Sequence, residues 1–201
     1  MRKKIGLVCV LLGALCLVSA VGLLIYNRLE ADHAVKESAL LLDGVQSAIE
    51  ENRASQSQVD REEITPREKK AMATVTVNGN ECIGILSIPA LSLELPVLTD
   101  WSYAKLKKAP CLYYGSYYEK DFVIAAHNYP GHFGRIGELK EGEAVLFTDA
   151  NGNTYSYRVV LTETLPKEAT REMIAAGFDL SLYTCTRGGG NRVTVRCEKA
   201  E

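Results

Sequence analysis

Ser181-Leu182-Tyr183-Thr184-Cys185, the loop Thr186-Arg187-Gly188-Gly189-Gly190-Asn191, and then Arg192-Val193-Thr194-Val195-Arg196-Cys197 decide how this chain reads. Two runs of strand formers bounded by a glycine-rich loop predict a pair of neighbouring β-strands. Cys185 ends the first run and meets the loop, so its thiol is held by the sheet and open from the loop side. A cysteine so placed is commonly an inert packing residue. Reactivity needs surroundings that favour the thiolate. In the second run, alternation puts Arg192, Thr194 and Arg196 on one face and Val193, Val195 and Cys197 on the other. The apolar set faces the core, which leaves both arginines on an outer face. Arg192 adjoins the Cys loop; Arg196 lies roughly 13 Å further along at about 3.3 Å per residue. Arg187 precedes the glycines, where the backbone is expected to be mobile.

Outward from this point the pattern stays β-rich as far back as Thr74. Strands are expected at Cys82 to Pro89, Leu93 to Leu98, Phe122 to Ala126, Ala144 to Thr148, Thr154 to Leu161, Leu180 to Thr184 and Arg192 to Cys197. The turn-rich Asp149-Ala150-Asn151-Gly152-Asn153 joins the fourth and fifth as a hairpin. Pro96 makes its strand an edge or a bent one, because proline lacks an N–H for the ladder. Short helices are expected at Tyr103 to Lys107, Gly134 to Leu139 and Glu168 to Ala176. Many short strands and few helices predict an all-β fold, closed or nearly closed into a β-barrel. His127 follows its strand directly, in Ala125-Ala126-His127-Asn128, whereas His132 in Pro130-Gly131-His132-Phe133 reads as a solvated loop residue.

The start of the chain is of another kind. Ile5 to Tyr26 is 22 residues without a charge, long enough as a helix to span a hydrocarbon core of roughly 30 Å. Arg2, Lys3 and Lys4 precede it, so the positive-inside bias keeps the N-terminus cytoplasmic and exports the remainder. A cleaved signal peptide ending near Val18-Ser19-Ala20 is the competing reading, but its apolar region runs only about 7–15 residues. From Asn27 to Ala73 the composition turns polar, with Leu40, Leu41, Val45 and Ile49 at the spacing of an amphipathic helix. Glu50 to Arg61 has little to bury and reads as a flexible linker. The segment as a whole reads as a stalk, with an oligomerisation or partner helix as the alternative. His33 is set aside within it.

The net charge of −2 over 201 residues and the dispersed basic side chains predict no nucleic-acid partner. Cys9 and Cys16 lie in the apolar run, leaving Cys82, Cys111, Cys185 and Cys197 outside it. Without a CxxC pair or histidines at matching spacing, they predict no structural metal. Cys82 and Cys197 read as core residues, and Cys185 must stay reduced to act as a nucleophile.

Taken in order, these motifs resemble the sortases, cysteine transpeptidases of Gram-positive cell surfaces. The family's Thr-Leu-x-Thr-Cys signature appears as Ser181-Leu182-Tyr183-Thr184-Cys185. Its histidine after a buried strand matches Ile124-Ala125-Ala126-His127, and its arginine opening the next strand matches Asn191-Arg192-Val193-Thr194-Val195. Ile83 to Pro89 and Leu95-Pro96-Val97 resemble the family's first strands, so the likeness covers about Glu81 to Cys197. Many sortases have Gly before the histidine and Arg after it; here those positions are Ala126 and Asn128. His127-Asn128 is similar to class B, yet the connection from Leu161 to Leu180 leaves room only for a short helix where that class inserts a long one. Features of classes B and D both remain open. Asp100-Trp101 is a faint echo of the aromatic lid of pilin-polymerising members and reads as structural.

The resemblance implies a closed barrel of about eight strands behind an N-terminal transmembrane helix. The implied organisation is a cytoplasmic basic tail at 1–4, a membrane anchor at 5–26, an extracellular stalk or linker at 27–73, partly helical, and a catalytic barrel at 74–201. Cys185, His127 and Arg192 are the implied catalytic residues, with Thr184, Asn128 and Tyr183 on the substrate. The implied partners are surface proteins bearing a sorting signal, an amine of a peptidoglycan precursor or a pilin, and the membrane; no cofactor is implied. Two readings compete. A papain-type secreted cysteine peptidase would place its Cys early, on a helix, and its His later. A non-catalytic anchored β-module for adhesion or binding would leave Cys185 as core. The topology is tested by adding protease to intact protoplasts: the barrel domain should be digested, and full protection would overturn the exported orientation.

Overall fold

The structure, a computed structural model, describes residues 2–56 and 71–200. It divides into one unit up to His33 and another from Ala34 onward. In the first, helix α1 (Arg2–Gln56) begins; it is long and apolar enough to cross a membrane. Leu17, Val18 and Leu24 there are exposed, an apolar surface of the kind a lipid or a partner covers.

In the second unit the strands are β1 (Val75–Val77), β2 (Asn80–Ile88), β3 (Leu93–Leu98), β4 (Cys111–Tyr114), β5 (Phe122–Ala125), β6 (Ala144–Asp149), β7 (Thr154–Pro166), β8 (Leu180–Cys185) and β9 (Asn191–Lys199). They follow the order β1-β2-β3-β4-β5-β8-β9-β7-β6, and β2 also pairs with β6. The last pairing closes β2 to β9 into an eight-stranded barrel, with β1 as an added strand on β2. Closure requires Gly84 at its position: its φ is +151°, and a Cβ there would lie 2.0 Å from the Thr148 carbonyl oxygen. Pro96 is tolerated because β3 is paired along β2 but meets β4 only at Leu98↔Cys111. The pairs β3–β4 and β5–β8 are parallel and the others antiparallel.

Alternation along the strands builds two cores. One fills the barrel, with Phe122, Ile124, Phe147, Leu182 and Val195. The other lies on the opposite side, where Leu41, Val45 and Ile49 of α1 meet Cys82, Leu98 and Cys111. Leu40, one position off that stripe, is exposed. Cys82, Cys111 and Cys197 are free and buried, and burial pushes their thiols up to about 11, 12 and 12.

The structure departs from the expected linker at Glu50 to Arg61. Here α1 continues to Gln56, with Asn52 donating to the Ala150 carbonyl at 2.9 Å and Arg53 to that of Gly152. The turn between β6 and β7 thus supplies acceptors to polar residues that have no core to join. Residues 57–61 of that stretch lie outside the described residues. β7 also runs past Leu161 to Pro166, since β9 pairs with it as far as Asn191. β4 was not expected. Its short Cys-Leu-Tyr-Tyr run alone carries little pattern.

Arg196 is the main correction to the reading by alternation. It is 1% exposed, not on an open face. Helix α2 (Tyr103–Leu106) belongs to the connection from β3 to β4, and helix α3 (Thr170–Ile174) to the connection from β7 to β8. Arg196 donates to the carbonyls of Glu172 (2.6 Å) and Met173 (3.4 Å), to Ser181 Oγ (2.9 Å) and to Glu163 Oε1 (2.8 Å). The end of α3 therefore lies over that face, and the arginine satisfies its carbonyls. Arg196→Ala should destabilise the domain by about 3 kcal/mol, the lower end for breaking a buried pair because Glu163 keeps some exposure. Urea unfolding measures this; an unchanged midpoint would count against it.

Candidate active site

Three adjacent strands end together. Parallel pairing sets Ala125 of β5 against Tyr183 of β8, and the Ala126 N–H donates to the Tyr183 carbonyl at 3.2 Å. Two residues past this pair come His127, just beyond the end of β5, and Cys185, the last residue of β8. Antiparallel pairing sets Cys185 directly against Arg192 of β9. Strand neighbours lie about 4.8 Å apart, which sets Arg192 beside Cys185, while His127 follows the strand on its other side. All three line one groove. Arg196 pairs with Ser181, four steps away, and is absent from that groove.

The support beneath them is specific. Thr184 is buried and its Oγ1 donates to the Ala126 carbonyl at 2.8 Å, tying β8 to the residue before His127. Tyr183 is half-buried and its ring meets that of Tyr113 edge-on at 5.1 Å. Burial raises the Tyr183 phenol, keeping it neutral. Arg192 Nη1 donates to the carbonyls of Gly189 and Asn191, both at 3.1 Å. The loop after Cys185 is a bonded turn: Thr186 N–H donates to the Asn191 carbonyl at 3.0 Å, Gly189 N–H to that of Thr186 at 2.9 Å. Gly188 and Gly189 take left-handed φ of +89° and +74°, which glycine adopts at no steric cost.

Cys185 borders two grooves. The first holds His127 and Arg192, with Trp101, Tyr103, Tyr113, Tyr183 and Met173 as apolar lining and Lys167 as a charge. The second opens past Asn128 and Thr184 toward Arg135, Glu138 and Arg187. Trp101 lies on the first groove, packed on Tyr103 at 5.8 Å and Tyr113 at 5.7 Å. Ser102 begins α2 there by accepting from the Lys105 N–H at 3.2 Å. The lining from Pro166 to Met173 had no signal in the sequence, because only the fold brings that connection over the groove. Among the described residues, no three His, Cys, Asp or Glu side chains converge as metal ligands.

A family model described as a sortase domain matches residues 86–200. The chain belongs to the sortase family. Sortase A of Bacillus anthracis is 28% identical over 138 residues, 63% of this chain and 63% of that protein, so the chain spans less than two thirds of its relative's length. Sortase C1 of Streptococcus agalactiae has a TM-score of 0.55 at 25% identity, over 63% of this chain and 71% of its own. A Clostridium perfringens sortase D5 transpeptidase shares the fold at a TM-score of 0.60 and 16% identity, over 83% of this chain and 99% of its own.

In this sortase His132 is not the solvated loop residue its glycine neighbour suggested. It is 0% exposed. Burial above all, with His127 nearby, pushes its imidazole down to about 4. An unfolded histidine titrates near 6.5, so the unfolded chain takes up this proton first as pH falls. The stability that neutral His132 contributes is whole above about pH 6.5 and is lost as pH falls to about 4. Its loss should cost on the order of 3 kcal/mol. Urea unfolding from pH 7 to 4 should show a shallower fall for His132→Leu than for the native chain; equal slopes would refute the assignment.

Proposed function

We propose that this chain is a membrane-anchored cysteine transpeptidase that cleaves a sorting-signal peptide of surface proteins and transfers the acyl part to an amine. Cys185 passes its proton to His127 as its Sγ attacks the scissile carbonyl. Only a few per cent of an ordinary cysteine is thiolate near neutrality, so a neighbouring histidine that exchanges its proton matters. The C–N bond of the tetrahedral intermediate breaks as His127 gives its proton to the departing amine. A thioester on Cys185 remains. An acceptor amine from a peptidoglycan precursor or a pilin then attacks the thioester, its proton passes to His127, and Cys185 is released. Arg192, always charged and forked, holds the substrate backbone and the developing oxyanion.

The observation that carries this reading is that Cys185, His127 and Arg192 stand side by side at one end of β5, β8 and β9 and share one groove. Family membership supports it. Tyr183 is read as a wall of the peptide groove and Asn128 as a contact on the second groove. Thr184 is read as acting through its hold on Ala126. The anchor is read as crossing the membrane with its N-terminus in the cytoplasm and the barrel outside.

The test uses the full chain in detergent micelles with a library of sorting-signal peptides and an amine acceptor. Mass spectrometry should find an acyl adduct on Cys185 that the amine discharges. Arg192→Lys keeps the charge but loses the fork, and should lower the rate by about 10²–10³-fold, as loss of an oxyanion donor does. His127→Ala should abolish transfer with the fold intact by circular dichroism. A native chain that forms no adduct with any peptide, and whose Cys185 alkylates no faster than its buried cysteines, would overturn the reading in favour of a binding module.

A further inference from the structure

The turn that carries His127 is built against α1. Phe133 N–H donates to the His127 carbonyl at 3.1 Å, and the N–H groups of His132 and Gly134 both donate to that of Tyr129 at 2.9 Å. Residues 127–134 are thereby one compact piece. Its rings follow in series, His127 on Tyr129 at 4.9 Å and Tyr129 on His132 at 5.7 Å. The far end of the series meets the helix. His132 is fully buried, the Ala34 backbone lies beside its imidazole, and Ala34 and Ser38 are themselves 1% and 3% exposed. At Gly131 the fit is close: an added Cβ would stand 2.3 Å from Cγ2 of Val35, whose side chain is 43% exposed along the helix. The turn is also closed on itself, since a Cβ at Gly134 would stand 2.6 Å from the Asn128 carbonyl oxygen.

We infer that Val35 and Gly131 are positioning residues for His127, with the start of the barrel-bound half of α1 acting as a brace that sets where the imidazole stands relative to Cys185. The inference rests on the function proposed above for His127. Its physical content is steric. Any displacement of α1 toward the turn pushes Gly131, and the bonded turn moves as a body. A proton donor must lie within hydrogen-bond reach of the departing amine, and a misplacement of about 1 Å costs on the order of 10²-fold in rate. A stalk that merely tethers the barrel requires no such contact.

The chain has three histidines, so the full chain in micelles, labelled with carbon-13 at histidine, gives a readable NMR spectrum. His127 is assigned by the resonance that His127→Ala lacks. Gly131→Ala should shift that resonance and its titration, and lower peptide cleavage about tenfold through kcat with KM within about twofold. In Gly131→Ala/Val35→Ala the new Cβ faces the Cβ of residue 35 at 3.5 Å, an ordinary contact. The double variant should therefore return the resonance to its native position and the rate to within about twofold of native. A Gly131→Ala resonance identical to native overturns the inference, as does a double variant as perturbed as the single. The resonance needs no substrate, so a native chain that cleaves no peptide would defeat the proposed function while still deciding whether α1 positions His127.

Discussion

The parallel pairing of β5 with β8 is the constraint on which the rest depends. It is a short ladder, Phe122↔Leu180 to Ala125↔Tyr183, buried on β5 along its whole length. A slip of one residue would turn every side chain of a strand to the opposite face. The interior cluster, with Phe122, Ile124 and Leu182, forbids that slip. Thr184 adds a second lock, because its hydroxyl reaches the Ala126 carbonyl from inside the protein. With the register fixed, the residues that leave the two strands at one end are His127 and Cys185. β9, antiparallel on the other side of β8, sets Arg192 opposite Cys185.

Both faces of these strands are occupied. The barrel interior is one core, and the outward side is covered in two places by helical segments. α1 covers the side bearing Cys82, Leu98, Cys111 and Ala125. α3 covers the side bearing Arg196, which satisfies the helix carbonyls and pairs with Glu163. Met173 of α3 also lines the groove of Cys185. The arginine is thus tied by its backbone partners to a wall of the groove while standing outside it. His132 is the counterpart under α1. Each is a polar residue kept in a dry setting by a helix that crosses the barrel surface, and each lies one layer away from the proposed site.

Much was legible in the sequence because its signals are local. Strand alternation, the proline and glycine breaks and the apolar run at the start are read over a few residues each. They give seven of the strands, the short helices and a helix able to span a membrane. The candidate cysteine, histidine and arginine were legible from motif resemblance. The side chains that wall the groove were not, since Trp101, Pro166 and Met173 come from separate connections that only the closed barrel brings together.

What the sequence determined by itself is therefore the kind of protein: a β-rich domain behind an apolar helix, with a thiol, an imidazole and a guanidinium each at a strand end. What only the tertiary structure decided is which faces are covered. Alternation assigns Arg196 to the face away from the barrel core, and its place in a glycine-flanked loop assigns His132 to solvent. Both rules consider one element at a time. Burial depends on what packs over an element, and here that comes from distant parts of the chain: α3 over Arg196, α1 over the His127 turn. A helix buries a polar side chain when their contacts elsewhere hold the two together, and no local pattern encodes those contacts.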